Sequence, residues 1–382
     1  MAAANGRRFH DQTNIKDRTN LMSDTRLLFA PLEVGELTLP NRVLMAPLTR
    51  NRANADGTVK PMHATYYRQR ASAGLIVSEA TQISAMGKGY LDTPGIHTEA
   101  QADAWADVVD AVHAGGGRIF CQLWHVGRIS HVSLLPGGAD PVSSSAIRAE
   151  TKTFTANGFE DCSPPVALDE DGIAETIADY VNAAKMAEHA GFNGIEVHAA
   201  NGYLIDQFLQ DGVNTRQDGY GGSIANRMRF LEEVLAALAE VYPTGRTGIR
   251  LSPRGQANAI SDSDPEALFA AVYEMLSDKS LAYLHVVEDF GGESGREAGE
   301  MIGRLRRSYE GVYIANGGFD AQTAVAAIED GHADAVTFGR PFLANPDLPE
   351  RYRTGAALNP QDKSTFYGGG EKGFTDYPFL DR

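Results

Sequence analysis

The sequence predicts an α/β protein built as a single (β/α)8 barrel, a TIM barrel with long loops after strands three and four. Three observations carry this. Eight short apolar, β-branched runs alternate with longer stretches of helical period. Glycines punctuate the joins where a helix must stop before the next strand. The two longest connections both follow a strand, which in a barrel places them on the face where active sites are built.

The predicted strands are Val43–Leu48, Leu75–Val77, Arg118–Leu123, Ile195–His198, Thr247–Leu251, Ala282–Val287, Val312–Ala315 and Ala335–Phe338. Between them, Trp105, Val108, Val109 and Val112 form one helical stripe, and Met228, Leu231, Val234, Leu235 and Leu238 another. Gly115–Gly117, Gly191, Gly245, Gly311 and Gly331 are expected to end helices in the left-handed conformation. The long connections run from about Trp124 to Asp169 and from Ala199 to about Asn226. Eight such units close into a barrel; an open doubly wound sheet is the alternative. Residues 27–382 read as one domain. Residues 1–26 are polar, lack the apolar core of a signal peptide, and read as a flexible extension in which Met22 could be an internal start.

Composition narrows the function. The chain has 382 residues, 43% of them hydrophobic and 22% charged, with 34 Lys plus Arg against 50 Asp plus Glu and a net charge of −16. So acidic a surface argues against nucleic acid as the main partner. No apolar run reaches the ~20 residues of a membrane span. Only two cysteines occur, Cys121 and Cys162. They are too few for a disulfide scaffold or a four-cysteine cluster, and they fit a reducing, cytoplasmic setting.

Polar residues gather where the predicted strands end. Strand one ends in Pro47-Leu48-Thr49, strand two in Ser78-Glu79-Ala80, and Gln122 and Trp124 close strand three. His198 ends strand four, with Asn201 and Tyr203 just beyond; Arg250 lies at the end of strand five. Strand seven runs into Gly317 and Gly318, strand eight into Gly339 and Arg340. In a barrel these ends converge on one mouth, and the loops after strands seven and eight often hold phosphate. Glycines there let backbone N–H groups approach an anion, and Arg340 adds a planar cation. A phosphate-bearing cofactor is expected there; glycines that only make tight turns are the alternative.

Other signals are declined. Gly368, Gly370 and Gly373 match G-x-G-x-x-G, but no strand precedes them and no helix opens there. His125 and His131 lack a metal-ligand spacing and no metal site is expected. No lysine lies on a predicted strand, which weakens a Schiff-base aldolase. Cys121 reads as a small core residue.

The runs NRVLMAPLTR (41–50), AGLIVSEATQIS (73–84), QLWHVGRISH (122–131), EVHAANGYLIDQFL (196–209), YGGSIANR (220–227), FGRPFLANPDLP (338–349) and TFYGGG (365–370) resemble, in this order, the Old Yellow Enzyme family. The likeness is greatest to the branch with morphinone, pentaerythritol tetranitrate and N-ethylmaleimide reductases. The resemblance implies non-covalent FMN on the barrel, NADPH or NADH as reductant, and reduction of activated alkenes such as enones, enals and maleimides by a ping-pong cycle. Nitro compounds or nitrate esters are further candidate substrates. It implies that Thr49, Pro47 and Ala80 lie beside the flavin ring, that Gln122 bonds its pyrimidine edge, and that Arg250 stabilises its reduced charge. Gly318, Gly339 and Arg340 fall on the family's phosphate site. His198 and Asn201 would donate to the substrate carbonyl and Tyr203 would protonate the α-carbon, with Trp124, Tyr90 and Tyr367 as pocket walls. Many relatives carry a second histidine where this chain has Asn201, but both side chains can donate. The rivals are another FMN barrel, such as a hydroxy-acid oxidase, and a non-enzymatic flavin binder. The cysteine count removes an iron–sulfur dienoyl reductase.

Overall fold

A computed structural model describes residues 25–288 and 296–381. Met22 and nearly all of the expected extension lie outside these residues. Thr25 and Arg26, expected as its last two residues, open the 3-10 turn Thr25–Phe29.

Eight parallel strands close into a barrel: β1 (Val43–Met45), β2 (Ile76–Val77), β3 (Ile119–Trp124), β4 (Gly194–His198), β5 (Thr247–Leu251), β6 (Tyr283–Val287), β7 (Tyr313–Asn316) and β8 (Ala335–Phe338). Closure is made by β8 pairing with β1, Val336 opposite Val43. The crossover helices are α1 (Pro61–Gln69), α2 (Glu99–Ala114), α3 (Glu170–His189), α4 (Ile224–Leu238), α5 (Pro265–Ser277), α6 (Arg296–Arg307) and α7 (Ala321–Glu329). Several begin at a side-chain cap: Thr98, Asp169, Ser223, Asp264 and Asp320 each accept an N–H of the first turn.

The period-2 alternation of the strands sorts residues between two cores. Outward-facing Ile119, Cys121, Leu123, Ile195, Val197, Ile249, Leu251, Leu284 and Val286 pack under the helices. Inward-facing Leu44, Leu75, Phe120, Tyr283, Ile314 and Ala335 form an apolar floor, together with Val34 and Leu39. Those last two come from an antiparallel hairpin, Leu32–Val34 with Leu37–Leu39, that covers the N-terminal end of the barrel. Large residues meet small ones inside. A Cβ on Gly194 would come 2.4 Å from the Phe120 ring, and one on Gly248 2.3 Å from that of Tyr283.

Above the floor the same columns turn polar. On β3 the inward series is Phe120, Gln122, Trp124; on β4 it is Gly194, Glu196, His198; on β5, Gly248 and Arg250. The alternation that builds the barrel therefore also delivers the polar groups to its mouth.

Some expectations shift. The first strand stops at Met45 instead of Leu48, since Pro47 has no N–H for a ladder, although Ala46 still donates to the Phe338 carbonyl at 3.2 Å. Gly116, Gly191 and Gly331 have positive φ, but Gly245 and Gly311 do not. Their need is space: a Cβ on Gly311 would come 2.4 Å from the Tyr309 hydroxyl, and one on Gly245 3.0 Å from Glu36. The long third loop contains a hairpin, Lys152–Thr155 with Gly158–Asp161, and the fourth a short helix, Leu204–Leu209.

Candidate active site

Trp124, at the end of β3, is fully buried and organises the aromatic part of the mouth. Tyr90 stacks on it at 5.8 Å and His198 lies nearly parallel to it at 6.4 Å. Tyr203 stands edge-on to both, 5.0 Å from each ring centroid. Tyr367, expected as a pocket wall, is 67% exposed, yet lies near enough to Tyr90 and Tyr203 to act electrostatically on both.

His198 is buried beside Arg250 and His285, and burial first, then those two groups, push its pKa well down. It is neutral. The Ala200 N–H donates to its Nδ1 at 3.3 Å, so the proton sits on Nε2, which is a donor. Asn201 follows in the left-handed conformation, φ 59°. That costly backbone is held on both sides: its N–H donates to Ser252 Oγ at 2.7 Å, and its carbonyl accepts from Asn258 Nδ2 at 2.8 Å. The Asn201 side-chain oxygen is buried without a partner. Tyr203 caps the short helix Leu204–Leu209 and exchanges a 3.1 Å hydrogen bond with the Tyr90 hydroxyl. Burial raises its pKa, while Tyr90 and Asn258 oppose the rise. Under this turn the buried Asp206 carboxylate accepts from the Gly202 N–H and from Gln210, and burial pushes its pKa up to about 7.

Pro47 is buried and Thr49 half-buried beyond β1, and Ala80 is buried beyond the neighbouring β2. Arg250 points up the barrel, its Nη2 donating to Asn316 Oδ1 at 3.0 Å. Its Nε is buried with no partner, as is Trp124 Nε1. Buried donors left over at a barrel mouth cost free energy unless a polar ligand takes them. Gly317 and Gly318 have φ of 141° and 70°, a backbone suited to glycine, and a Cβ on Gly318 would meet nothing within 4 Å. Gly339 precedes the short helix Arg340–Ala344, with Arg340 exposed at its start. A flat, polar ring system ending in a phosphate fits these residues: donors and an aromatic floor on one side, an open glycine cradle and a cation on the other.

Reading the strand ends alone missed two groups and left a third, Glu79, without a role. Below the mouth, Glu196 accepts from Gln122 Nε2 at 2.7 Å, from the Tyr283 hydroxyl at 2.9 Å and from His285 Nδ1 at 2.9 Å. Its spacing two residues before His198 was the available signal. Beside Thr49, the buried Arg50 and Arg52 clasp the segment after Asp362 by its carbonyls. Arg50 donates to Phe366 and Gly373 at 2.9 and 2.8 Å, and Arg52 to Thr365 and Gly370 at 2.9 and 3.0 Å. This is where the declined glycine-rich stretch lies.

The third is Glu79, fully buried under that clasp. It accepts from the Arg50 N–H and the Tyr67 hydroxyl, both at 3.3 Å, and faces His63 and the two arginines. Burial pushes its pKa up to about 7. A carboxyl raised in the folded state contributes stability below its unfolded pKa near 4.5, and that contribution is lost as pH rises through about 7. The size is on the order of 3 kcal/mol. Thermal unfolding of the FMN-loaded protein should show Glu79→Gln gaining on the wild type between pH 5 and pH 8. A difference in Tm that does not change with pH would refute this origin.

The chain matches the model of the NADH:flavin oxidoreductase / NADH oxidase family over residues 27–359. It is 44% identical over 373 residues to 12-oxophytodienoate reductase 7 of Oryza sativa subsp. japonica, a match covering 92% of this chain and 94% of the relative. It is 44% identical over 363 residues to a chanoclavine-I aldehyde reductase of Penicillium roqueforti, covering 92% and 96%. A solved structure of morphinone reductase shares 51% identity with a TM-score of 0.89, covering 93% of this chain and 96% of that one. Matches of this length, on a barrel whose mouth holds these residues, show that the chain belongs to the NADH:flavin oxidoreductase / NADH oxidase family, as a member of the Old Yellow Enzyme group of FMN-dependent ene reductases.

Proposed function

We propose that the mouth of this barrel reduces the C=C bond of α,β-unsaturated carbonyl compounds, with His198, Asn201 and Tyr203 as its substrate-handling residues. The observation that carries the reading is their arrangement: a neutral histidine with its proton on Nε2, an amide held in a strained turn, and a phenol edge-on to the same tryptophan. Bound FMN supplies the hydride chemistry, accepting from NAD(P)H and giving to the alkene. Thr49, Pro47, Ala80, Gln122 and Arg250 would hold its ring, and Gly317, Gly318, Gly339 and Arg340 its phosphate.

His198 Nε2–H and the Asn201 amide donate to the carbonyl oxygen. Negative charge develops there when the β-carbon takes hydride, and donors fixed in advance stabilise it. Tyr203 then gives its proton to the α-carbon. A phenol held above its usual pKa stays protonated until a basic enolate is present. Tyr90 and Asn258 hold the Tyr203 oxygen in place and stabilise the phenolate it becomes. The small-molecule partners are thus activated alkenes and NAD(P)H. Cys121 and Cys162 are both free and buried, which supports a reducing compartment such as the cytoplasm. No helix among the described residues is long and apolar enough to cross a membrane.

The test is a visible spectrum of the full-length protein under anaerobic conditions. The flavin band should bleach with NADPH and return with 2-cyclohexenone. Bleaching without return would overturn the ene-reductase reading, and reduction by a hydroxy acid instead of NADPH would favour the oxidase.

A further inference from the structure

The polar layer below the mouth has a direction. An ionised carboxylate only accepts hydrogen bonds, so every group bonded to Glu196 must turn a donor toward it. Glu196 is held in that form: burial raises its pKa, but His285, Arg250 and Gln122 together outweigh burial and keep it low. His285 therefore carries its proton on Nδ1, and its Nε2, 2.8 Å from Thr337 Oγ1, accepts from that hydroxyl. Tyr283 donates its O–H from the floor. Gln122 must present its amide N–H groups, which leaves its Oε1 as an acceptor for whatever lies above. Four barrel strands, β3, β4, β6 and β8, share this one polarity.

We propose that Glu196 is a positioning residue for the cofactor. It locks the Gln122 amide with nitrogen toward the carboxylate, so that Gln122 offers an acceptor to the flavin and selects the ring edge that carries an N–H. This rests on the placement of the flavin against Gln122 set out above. An amide turned the other way would present N–H to N–H. One hydrogen bond lost in a buried site is worth roughly tenfold in affinity.

The experiment is a double-mutant cycle on FMN release from the full-length holoenzyme, followed as the return of free-flavin fluorescence. Gln122→Ala should weaken FMN binding about tenfold, and so should Glu196→Gln: Tyr283 and His285 claim the new amide's oxygen, its NH2 then faces Gln122, and the Gln122 amide is reversed. In the Gln122→Ala background, Glu196→Gln should add less than twofold. An equal loss in both backgrounds would mean that Glu196 acts on the barrel as a whole, and would overturn the inference. So would wild-type retention of FMN by Glu196→Gln. Wild-type retention by Gln122→Ala would overturn the flavin placement itself, and this inference with it. Should Glu196→Gln fail to fold, Glu196→Asp keeps the buried charge but shortens its reach to Gln122, and the same non-additivity is expected.

Discussion

Replacing Tyr203 by Phe should leave NADPH bleaching of the flavin at its wild-type rate and slow the return of colour with 2-cyclohexenone by about 10²–10⁴-fold, the range of a lost general acid. On the proposed mechanism the two half-reactions separate, because Tyr203 acts in only one of them. Its hydroxyl is bonded to Tyr90, and its ring is fixed edge-on to Trp124 and His198. Removing one oxygen deletes the proton and leaves the packing. Tyr90→Phe should have a much smaller effect, since Tyr90 touches the proton donor and does not supply the proton. Stopped-flow absorbance of both half-reactions checks this, and equal slowing of the two would mean that Tyr203 is a wall of the pocket.

The second large effect is expected at the oxyanion end. His198→Ala should lower kcat/KM for the enone about 10²–10³-fold, the cost of one preorganised donor. Asn201→Ala should act in the same direction with an added loss of stability. Asn201 tolerates φ 59° better than alanine would, and the turn is already strained. On the proposed mechanism the two residues donate to one oxygen, so the double variant should fall short of the product of the single losses. Phenol binding offers an independent readout: a phenolate oxygen is a stable mimic of the enolate, and its charge-transfer band with the flavin should weaken in both variants.

Much of this was legible along the chain because strands and chemistry share one alternation. Gln122, His198 and Arg250 could be found at strand ends, where a polar residue interrupts an apolar run. Glu196 and His285 lie inside their strands, flanked by Ile195 and Val197 or by Leu284 and Val286. There a polar residue reads as noise until it is seen that its neighbours face the helices. Arg50 and Arg52 were hidden for another reason. Their partners are backbone carbonyls more than 300 residues away, and a carbonyl has no residue identity to recognise. The hairpin from Lys152 to Asp161 carries a turn signal in Asn157-Gly158, but its strands are short and largely polar and leave Phe159 71% exposed, so no buried apolar stripe marks them. Tyr367 marks the opposite limit. A motif identified its position in the chain, but not that it would be 67% exposed.

The apolar floor under the barrel has a kinetic meaning. Val34 and Leu39 close the N-terminal end against Leu44, Phe120 and Ile314, so nothing enters or leaves the barrel from below. Nicotinamide and alkene must then occupy the same space at different times, each excluding the other. Excess alkene held over oxidised flavin would be a dead-end complex, and oxidised nicotinamide that lingers would compete with the alkene. Substrate inhibition and product inhibition are thus two expressions of one sealed wall.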